Sequence, residues 1–566
     1  MKQLNNDNAA NRNSYVGFVY NKGEQVYKNE ILDKMPKEWA QLHREGYIHI
    51  HDLDAHGLTY NCLTLNIISD FPYKQFNGLN DIEKIIHLFS FIKELFTNLG
   101  NEQSGGMAFA NFDNELAEVF QTLNIDIFKY KEILQSCIRE LILWCNNNHT
   151  RMGQTSYYIT FNIGLAKDEV ARLIAFTLLD EFEKLGDLVF KPNIVFKVHK
   201  GISRFSQDKN FDLLKKSLLC TAKKMIPTYL LCDSKVNNNV DPNVLSIMGC
   251  RTRVVNDLYG NVGAIGRGNV ANISINLPKI ALEVDKDYPD KSAETRFRYF
   301  KGKWNRIAAV VKDILIDRYE VLCSLSKEDF PTNLEYQLWC ESFKKAKNLK
   351  EIFCHGTLSI GFIGLSEAIE IITGKKYYED MDNYVLALGF VKYMREYCDF
   401  LRGEYQLNFS LLATSGELIS GRFIELDKKI FTPEIDIFSK GYYTNSFHID
   451  VDSNLPGYKK IELEGLFHEQ CNGGCITYIE LGEAPISNDE GLLEYLEIAI
   501  NAGTHYLGFN FPKDVCSNCQ TSGIFDVCPN CGNDKITHIR RVSGYLEILD
   551  GFTNGKKNEV KARKAN

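Results

Sequence analysis

The sequence has no apolar run of the length a bilayer demands. Stretches such as Ile360 to Leu365 fall far short of the roughly 20 residues that cross the hydrocarbon core, and glycine interrupts them. A membrane-spanning chain is therefore not expected. No basic segment followed by an apolar one opens the sequence either; Met1 to about Ser14 is polar and rich in Asn, so it does not read as a signal peptide and is expected to be disordered. No Lys/Arg tract is long enough to neutralise many phosphates in a row, and the formal net charge is −8, so duplex nucleic acid is an unsuitable main partner. Internal repeats, a low-complexity linker before about residue 510 and a Walker phosphate loop are also missing.

What is present is ordinary globular material. The 566 residues are 44% hydrophobic and 24% charged, enough apolar surface for several domains or one large barrel with appendages. Sixteen cysteines without a secretory signal argue for a reducing compartment, read here as the cytoplasm, where thiols serve metals and chemistry. Apolar residues at three- and four-residue spacing predict helices over Asp81 to Leu99, Ile133 to Cys145, Phe211 to Met225 and Tyr299 to Leu325. Short β-branched or aromatic runs predict buried strands over Leu58 to Ile68, Tyr157 to Ile163, Asn193 to Val198, Asn272 to Leu277 and Thr357 to Ile363. Their alternation predicts a large α/β body. Composition changes only after it: Cys, Gly, Asn and Asp dominate 514–534, and polar Lys-rich sequence follows Gly551.

Cys516 and Cys519, then Cys528 and Cys531, form two knuckles able to present four thiolates to one ion. Structural zinc is the leading reading; iron fits the same tetrathiolate, and a disulfide pair is disfavoured by compartment. So little chain lies between the pairs that metal ligation must supply much of the local folding free energy, roughly 10–16 kcal/mol in zinc-finger peptides. Four cysteines close the coordination shell, which marks scaffolding and not a reaction centre. Downstream stands Arg540-Arg541-Val542-Ser543-Gly544-Tyr545-Leu546. Physics alone reads Gly544 as a turn glycine. Loss of an α-hydrogen from glycine, however, gives a backbone radical delocalised into the flanking amides with no side chain in the way.

Arg541-Val542-Ser543-Gly544-Tyr545 near the C-terminus resembles the signature of glycyl radical enzymes, and the adjacent cysteine pairs resemble those of the anaerobic, class III ribonucleoside-triphosphate reductases. Met248-Gly249-Cys250-Arg251 is similar to that family's radical-cysteine loop, and Arg267-Gly268-Asn269 with Asn276-Leu277-Pro278 to the segment after it. Tyr60-Asn61-Cys62, after His49-Ile50-His51-Asp52, resembles the strand with the second active-site cysteine. Tyr443 to His448, Gly473-Gly474 with Tyr478-Ile479-Glu480, and Gly153-Gln154-Thr155 also resemble family motifs, so the likeness runs from about residue 40 to 560.

The resemblance implies a ten-stranded α/β barrel in two parallel halves, with Cys250 on an internal finger loop facing Gly544. It implies domains at 15–512 for the barrel, without a preceding ATP cone, 513–535 for the zinc ribbon and 536–566 for the radical loop and tail. The implied activity is reduction of ribonucleoside triphosphates in a homodimer, with nucleotide effectors. A partner activase, supplying S-adenosylmethionine and an iron–sulfur cluster, would generate the radical on Gly544. Cys250 would then abstract hydrogen from the substrate, and Cys62 would act in the reducing step. Met248 and Asn269 match the branch that consumes formate. His49, His51, Gly105, Gly106, Asn445, Ser446, Gly473 and Gly474 are candidate substrate contacts, the glycines as nests of N–H groups for the triphosphate. Glu417 joins them, although Thr414-Ser415-Gly416-Glu417 departs from the family's Thr-Pro-Ala-Glu.

Each residue also has a plainer reading: buried small hydrophobes for Cys62 and Cys250, a structural pair for His49 and His51, turns for the glycines, core for Tyr442, Tyr443 and Phe447. Two rivals remain at this level. Another glycyl radical enzyme, a lyase or dehydratase, would share the signature but not the cysteine pairs. A zinc-ribbon nucleic-acid-binding protein would need a basic face, whereas the ribbon sets Asp514, Asp526 and Asp534 against Lys513 and Lys535.

Overall fold

The computed structural model describes residues 14–153, 155–433, 436–541 and 543–566. The segment expected to be disordered thus lies outside the described residues except for Ser14, which caps the first helix, Tyr15–Lys34, by accepting the Gly17 N–H at 2.9 Å. Gln154 and Val542, both within the motifs above, also lie outside them.

Strands and helices alternate along the body, as expected of an α/β chain. In chain order the strands are β1 (Ile48–Ile50), β2 (Leu63–Leu65), β3 (Met107–Phe109), β4 (Ile159–Ile163), β5 (Asn193–Val198), β6 (Thr228–Leu231), β7 (Ile247–Met248), β8 (Thr252–Arg253), β9 (Asn269–Asn276), β10 (Thr357–Ile363), β11 (Asn408–Ala413), β12 (Thr477–Glu480) and β13 (Tyr506–Asn510). One sheet has the order β12-β13-β6-β5-β4-β3-β2, the other β1-β9-β10-β11. Strands β2 to β6 run parallel, β13 meets β6 antiparallel, and β9 to β11 are parallel to one another.

Parallel neighbours need crossovers, and helices supply them while covering the outer face. Asp81–Leu99 is typical. Asn80 and Glu83 close a capping box at its start, and Ile85, Leu88, Phe89, Ile92, Leu95, Phe96 and Leu99 form its buried stripe. Because both faces are covered, β4, β5, β10 and β11 are buried at every position.

The two sheets meet at both edges. On one side Asn61 and Cys62 donate their N–H groups to the Asn269 carbonyl at 2.9 and 3.0 Å, and Thr64 N–H donates to Arg267 O. On the other, Gly473 N–H donates to Leu411 O and Ala413 N–H to Gly474 O. The seven-stranded sheet and β9–β11 therefore account for the ten expected strands. Isolated bridges at Thr64 and Leu412 link them, and among the described residues no continuous ladder closes the ring. No described helix is long and apolar enough to cross a membrane.

Beyond β13, strands β14 (Lys513–Cys516), β15 (Ser522–Gly523), β16 (Ile536–Arg541) and β17 (Leu546–Ile548) form a small antiparallel sheet in the order β15-β14-β16-β17. Helix Asn554–Ala562 follows.

Candidate active site

A hairpin carries Cys250. Ile247 pairs with Arg253 and Met248 with Thr252, which leaves Gly249, Cys250 and Arg251 at the tip. Gly249 has a φ of +55°, a conformation glycine adopts without penalty. Asn162 on β4 fixes the hairpin: its amide donates to Ser246 Oγ at 3.1 Å and Ile247 O at 3.2 Å, and its oxygen accepts the Ile247 N–H. From the opposite side Gly473 O accepts the Arg253 N–H, and the Arg251 backbone fills the space a side chain on Gly474 would occupy. Gly473 and Gly474, expected to cradle phosphate, are instead where the hairpin rests.

A cavity of about 120 Å³ opens at the tip, lined among others by His51, Cys62, Gly105, Gly106, Cys250, Glu417 and Tyr545. Cys62 is 5% exposed; its Sγ accepts the Gly106 N–H at 3.2 Å and its thiol donates to Asn61 Oδ1 at 2.8 Å. Burial pushes the Cys62 thiol up to about 12, an effect that Gly106 opposes and the neighbouring Cys250 reinforces, so its S–H is intact at neutral pH. The Cys250 thiol lies 3.4 Å from Ser415 Oγ. Gly105 spends its N–H on Asn61 O at 2.6 Å and Gly106 on Cys62, so these donors hold the thiol and are not free for a triphosphate.

The other expected residues separate. His51 Nε2 lies 2.8 Å from Ser274 Oγ and reaches the cavity, while His49 sits behind it, its ring 4.7 Å from that of His51. Met248 is fully buried and packs with Cys62, Ala108, Val254 and Ala264, beside the thiol and not on the cavity wall. Asn269 turns its amide into β10, donating to Thr357 Oγ1 at 3.0 Å and Ser359 Oγ at 2.9 Å; it does not line the cavity, and its backbone carbonyl anchors Cys62. Asn445 faces the C-terminal helix, accepting from Lys556 Nζ at 3.2 Å, and Ser446 O accepts the Leu365 N–H; neither lines the cavity.

Gly544 comes from β16 and β17, whose pairing of Arg541 with Leu546 makes a hairpin with Gly544 in its turn. A Cβ built on Gly544 would overlap the O, Cα and C atoms of Cys250, so its α-carbon is pressed against the Cys250 backbone. Glu417 grips both neighbours, accepting from Ser543 Oγ at 2.6 Å and from Tyr545 OH at 2.5 Å. Its carboxyl is raised above the usual range by burial, against the lowering effect of those two donors. Arg541 donates to Gly544 O at 3.2 Å and to Asn510 Oδ1 at 2.6 Å, and Tyr478 OH donates to Ser543 O. Sequence reasoning missed this clamp, because nothing local connects Glu417 with Ser543. Asp52 was missed too: it accepts from Asn61 Nδ2 at 2.7 Å and Ser104 Oγ at 3.1 Å beneath the Cys62 thiol.

The four ribbon cysteines come together, with Sγ atoms of Cys516 and Cys531 3.6 Å apart and those of Cys519 and Cys528 3.5 Å apart. A tetrahedral tetrathiolate with metal–sulfur bonds of about 2.3 Å has sulfurs about 3.8 Å apart. The donor set fits such an ion.

The family model described as anaerobic ribonucleoside-triphosphate reductase matches residues 7–565. The protein of that name from Salmonella typhimurium is 29% identical over 573 residues, 94% of this chain and 78% of its own. The one from Enterobacteria phage T4 is 27% identical over 583 residues, 95% of this chain and 93% of its own. Among solved structures, the anaerobic ribonucleotide reductase from Thermotoga maritima in complex with dATP and CTP superposes with a TM-score of 0.69 at 16% identity, covering 96% of this chain and 90% of that one. Hydroxyproline dehydratase from Clostridioides difficile superposes with a TM-score of 0.55 at 12% identity, covering 95% and 84%. At such identities these two report likeness of fold.

Proposed function

This chain belongs to the anaerobic ribonucleoside-triphosphate reductase family, and from that premise we propose that it reduces ribonucleoside triphosphates through a radical relayed from Gly544 to Cys250, with formate as reductant. One observation carries the reading: the α-carbon of Gly544 abuts the backbone of Cys250 in the cavity that also holds Cys62. Hydrogen transfer between carbon and sulfur needs near contact, and the backbone that meets Gly544 is the one that carries the Cys250 thiol.

Hydroxide is a poor leaving group at a secondary carbon, and a radical at the adjacent C3′ removes that obstacle. Cys250 as a thiyl takes the 3′-hydrogen. The 2′-hydroxyl leaves as water once protonated. Cys62, whose thiol stays protonated, returns a hydrogen atom to C2′ of the resulting 3′-ketone; formate restores the hydrogen to the Cys62 sulfur and passes its second electron, with a proton, to the ketone, and Cys250 restores the 3′-hydrogen. Formate supplies two electrons and emerges as carbon dioxide, so one ribonucleotide and one formic acid give one deoxyribonucleotide, water and carbon dioxide. His51, beside Ser274 at the cavity wall, is placed to meet the ribose.

The first hydrogen is taken from Gly544 by a separate activase that supplies S-adenosylmethionine and an iron–sulfur cluster. Cys516, Cys519, Cys528 and Cys531 would hold zinc, whose contribution is rigidity. The division into barrel (15–512), ribbon (513–535) and radical loop with tail (536–566), a homodimer under nucleotide effectors, and a cytoplasmic site of action complete the proposal. An anaerobic assay with activase, CTP and carbon-14 formate tests it: dCTP and labelled carbon dioxide are expected in equal amounts. Equal product without formate when a thioredoxin system is added would sink the reductant, and no dCTP under either condition would sink the assignment.

A further inference from the structure

The halves of the body run in opposite directions, so each mouth gathers strand starts from one half and strand ends from the other. The active-site cavity lies where β2 and β3 begin and β11 ends. A second cavity, of about 330 Å³, lies at the opposite mouth, where β10 and β11 begin and the chain leaves β6. The Cys250 hairpin joins the two, with Cys250 in the first and Arg253 in the second.

This second cavity is lined by Lys235, Arg253, Arg267, Arg395, Arg402 and a single carboxylate, Glu469. Three of the cations have acidic partners: Lys235 with Glu469, Arg267 with Asp257 and Arg395 with Asp399. Arg253 and Arg402 have none within 4.0 Å among the described residues. Arg253 is 4% exposed, and although one of its terminal nitrogens donates to Val236 O and Asn237 Oδ1, its Nε has no partner. The Nε of Arg402 is likewise buried without one. Burial of an unpaired charge costs several kcal/mol unless an opposite charge joins it. Burial, with the like charge of Arg395 adding to it, holds the Arg253 guanidinium down to about 10.

We propose that this cavity is an oxyanion-binding site, in which the guanidinium groups of Arg253 and Arg402 take a carboxylate or phosphate group at the mouth opposite the substrate cleft. Guanidinium forks match the paired oxygens of either group, and the remaining walls, with Asn256, Asn408 and Asn472, are polar. The volume suits a triphosphate or a small carboxylate with its hydration. Formate and nucleotide are the two sources of such chemistry. A ligand here touches the root of the hairpin whose tip is Cys250, without competing for the cleft.

Equilibrium binding to the full-length, unactivated protein, in the absence of nucleotide, tests the site independently of any reductase activity. The probes are formate and inorganic tripolyphosphate, each measured against chloride at equal ionic strength. Saturable formate binding identifies a carboxylate site, and saturable tripolyphosphate binding without formate binding identifies a phosphate site. In either case Arg253→Gln and Arg402→Gln should each weaken binding by about tenfold or more. Arg402 is only partly buried, so its variant remains informative if Arg253→Gln fails to fold. No saturable binding of either probe to the wild type, or unchanged affinity in a folded Arg402→Gln, would overturn the proposal.

Discussion

Cys250 and Cys62 share one cavity but differ in what holds them. Cys250 sits at a hairpin tip against Gly544, whereas Cys62 is locked between Asn61 and Gly106. Their deletions should therefore separate. Cys250→Ala should abolish tritium release from 3′-labelled substrate. Cys62→Ala should retain that release yet give no deoxynucleotide, with the stranded ketone losing base; product from Cys62→Ala would remove it from the reducing step. The raised Cys62 thiol also predicts its chemistry with alkylators, which attack thiolate. Iodoacetamide should spare Cys62 at neutral pH. The sign for stability follows: a group protonated in the fold up to about 12 but in the unfolded chain only to about 9.0 contributes stability below 9.0 that is lost as pH climbs through that window, measurable in denaturant titrations of wild type against Cys62→Ala. Glu417 makes a further prediction. With two hydrogen bonds to an ionisable group removed, Glu417→Ala should weaken docking of the Gly544 turn by about 3 kcal/mol, read as faster amide exchange over 543–549, with Glu417→Gln retaining part of the protection.

At the level of elements, β16 belongs to two structures at once. It pairs with β14, which carries Cys516, and with β17, across the turn that carries Gly544. Substituting Cys516 or Cys528 by Ala should therefore abolish the glycyl radical signal by electron paramagnetic resonance while circular dichroism shows the body still folded. A full radical yield after metal removal would break that link. What the sequence revealed follows the same division between near and far. Helix Asp81–Leu99 and strands Asn193–Val198 and Thr357–Ile363 match their expected spans, since periodicity, caps and continuous apolar runs are local signals. The strand expected over Leu58 to Ile68 shrinks to Leu63–Leu65, and β3 is only three residues long, too short for any pattern to register. The cysteine pairs were legible for the same local reason. Gly473 and Gly474 were misread as a phosphate nest because their constraint, the Arg251 backbone, comes from more than two hundred residues away. The Glu417 clamp on Ser543 and Tyr545 was invisible on identical grounds.

Taken whole, the molecule encloses the turn proposed to carry the radical, with Gly544, Ser543 and Tyr545 all buried. Oxygen that reaches an activated chain should add at Gly544 and cut the backbone there, releasing a fragment that lacks the residues after it. Gly544→Ala should show neither signal nor cut, because the added methyl collides with Cys250, and overpacking of this kind typically costs 1–3 kcal/mol. Mass spectrometry of the air-exposed protein locates the break, and a break elsewhere would move the radical. The order of the strands along the chain has one more consequence. β16 and β17 follow every strand of the two large sheets, so a ribosome delivers the turn that bears Gly544 after the walls around it have been made. A nascent chain can complete its cavity before it owns the glycine that will pack against Cys250, and under the proposed chemistry no half-made copy can carry the oxidising equivalent that would destroy it.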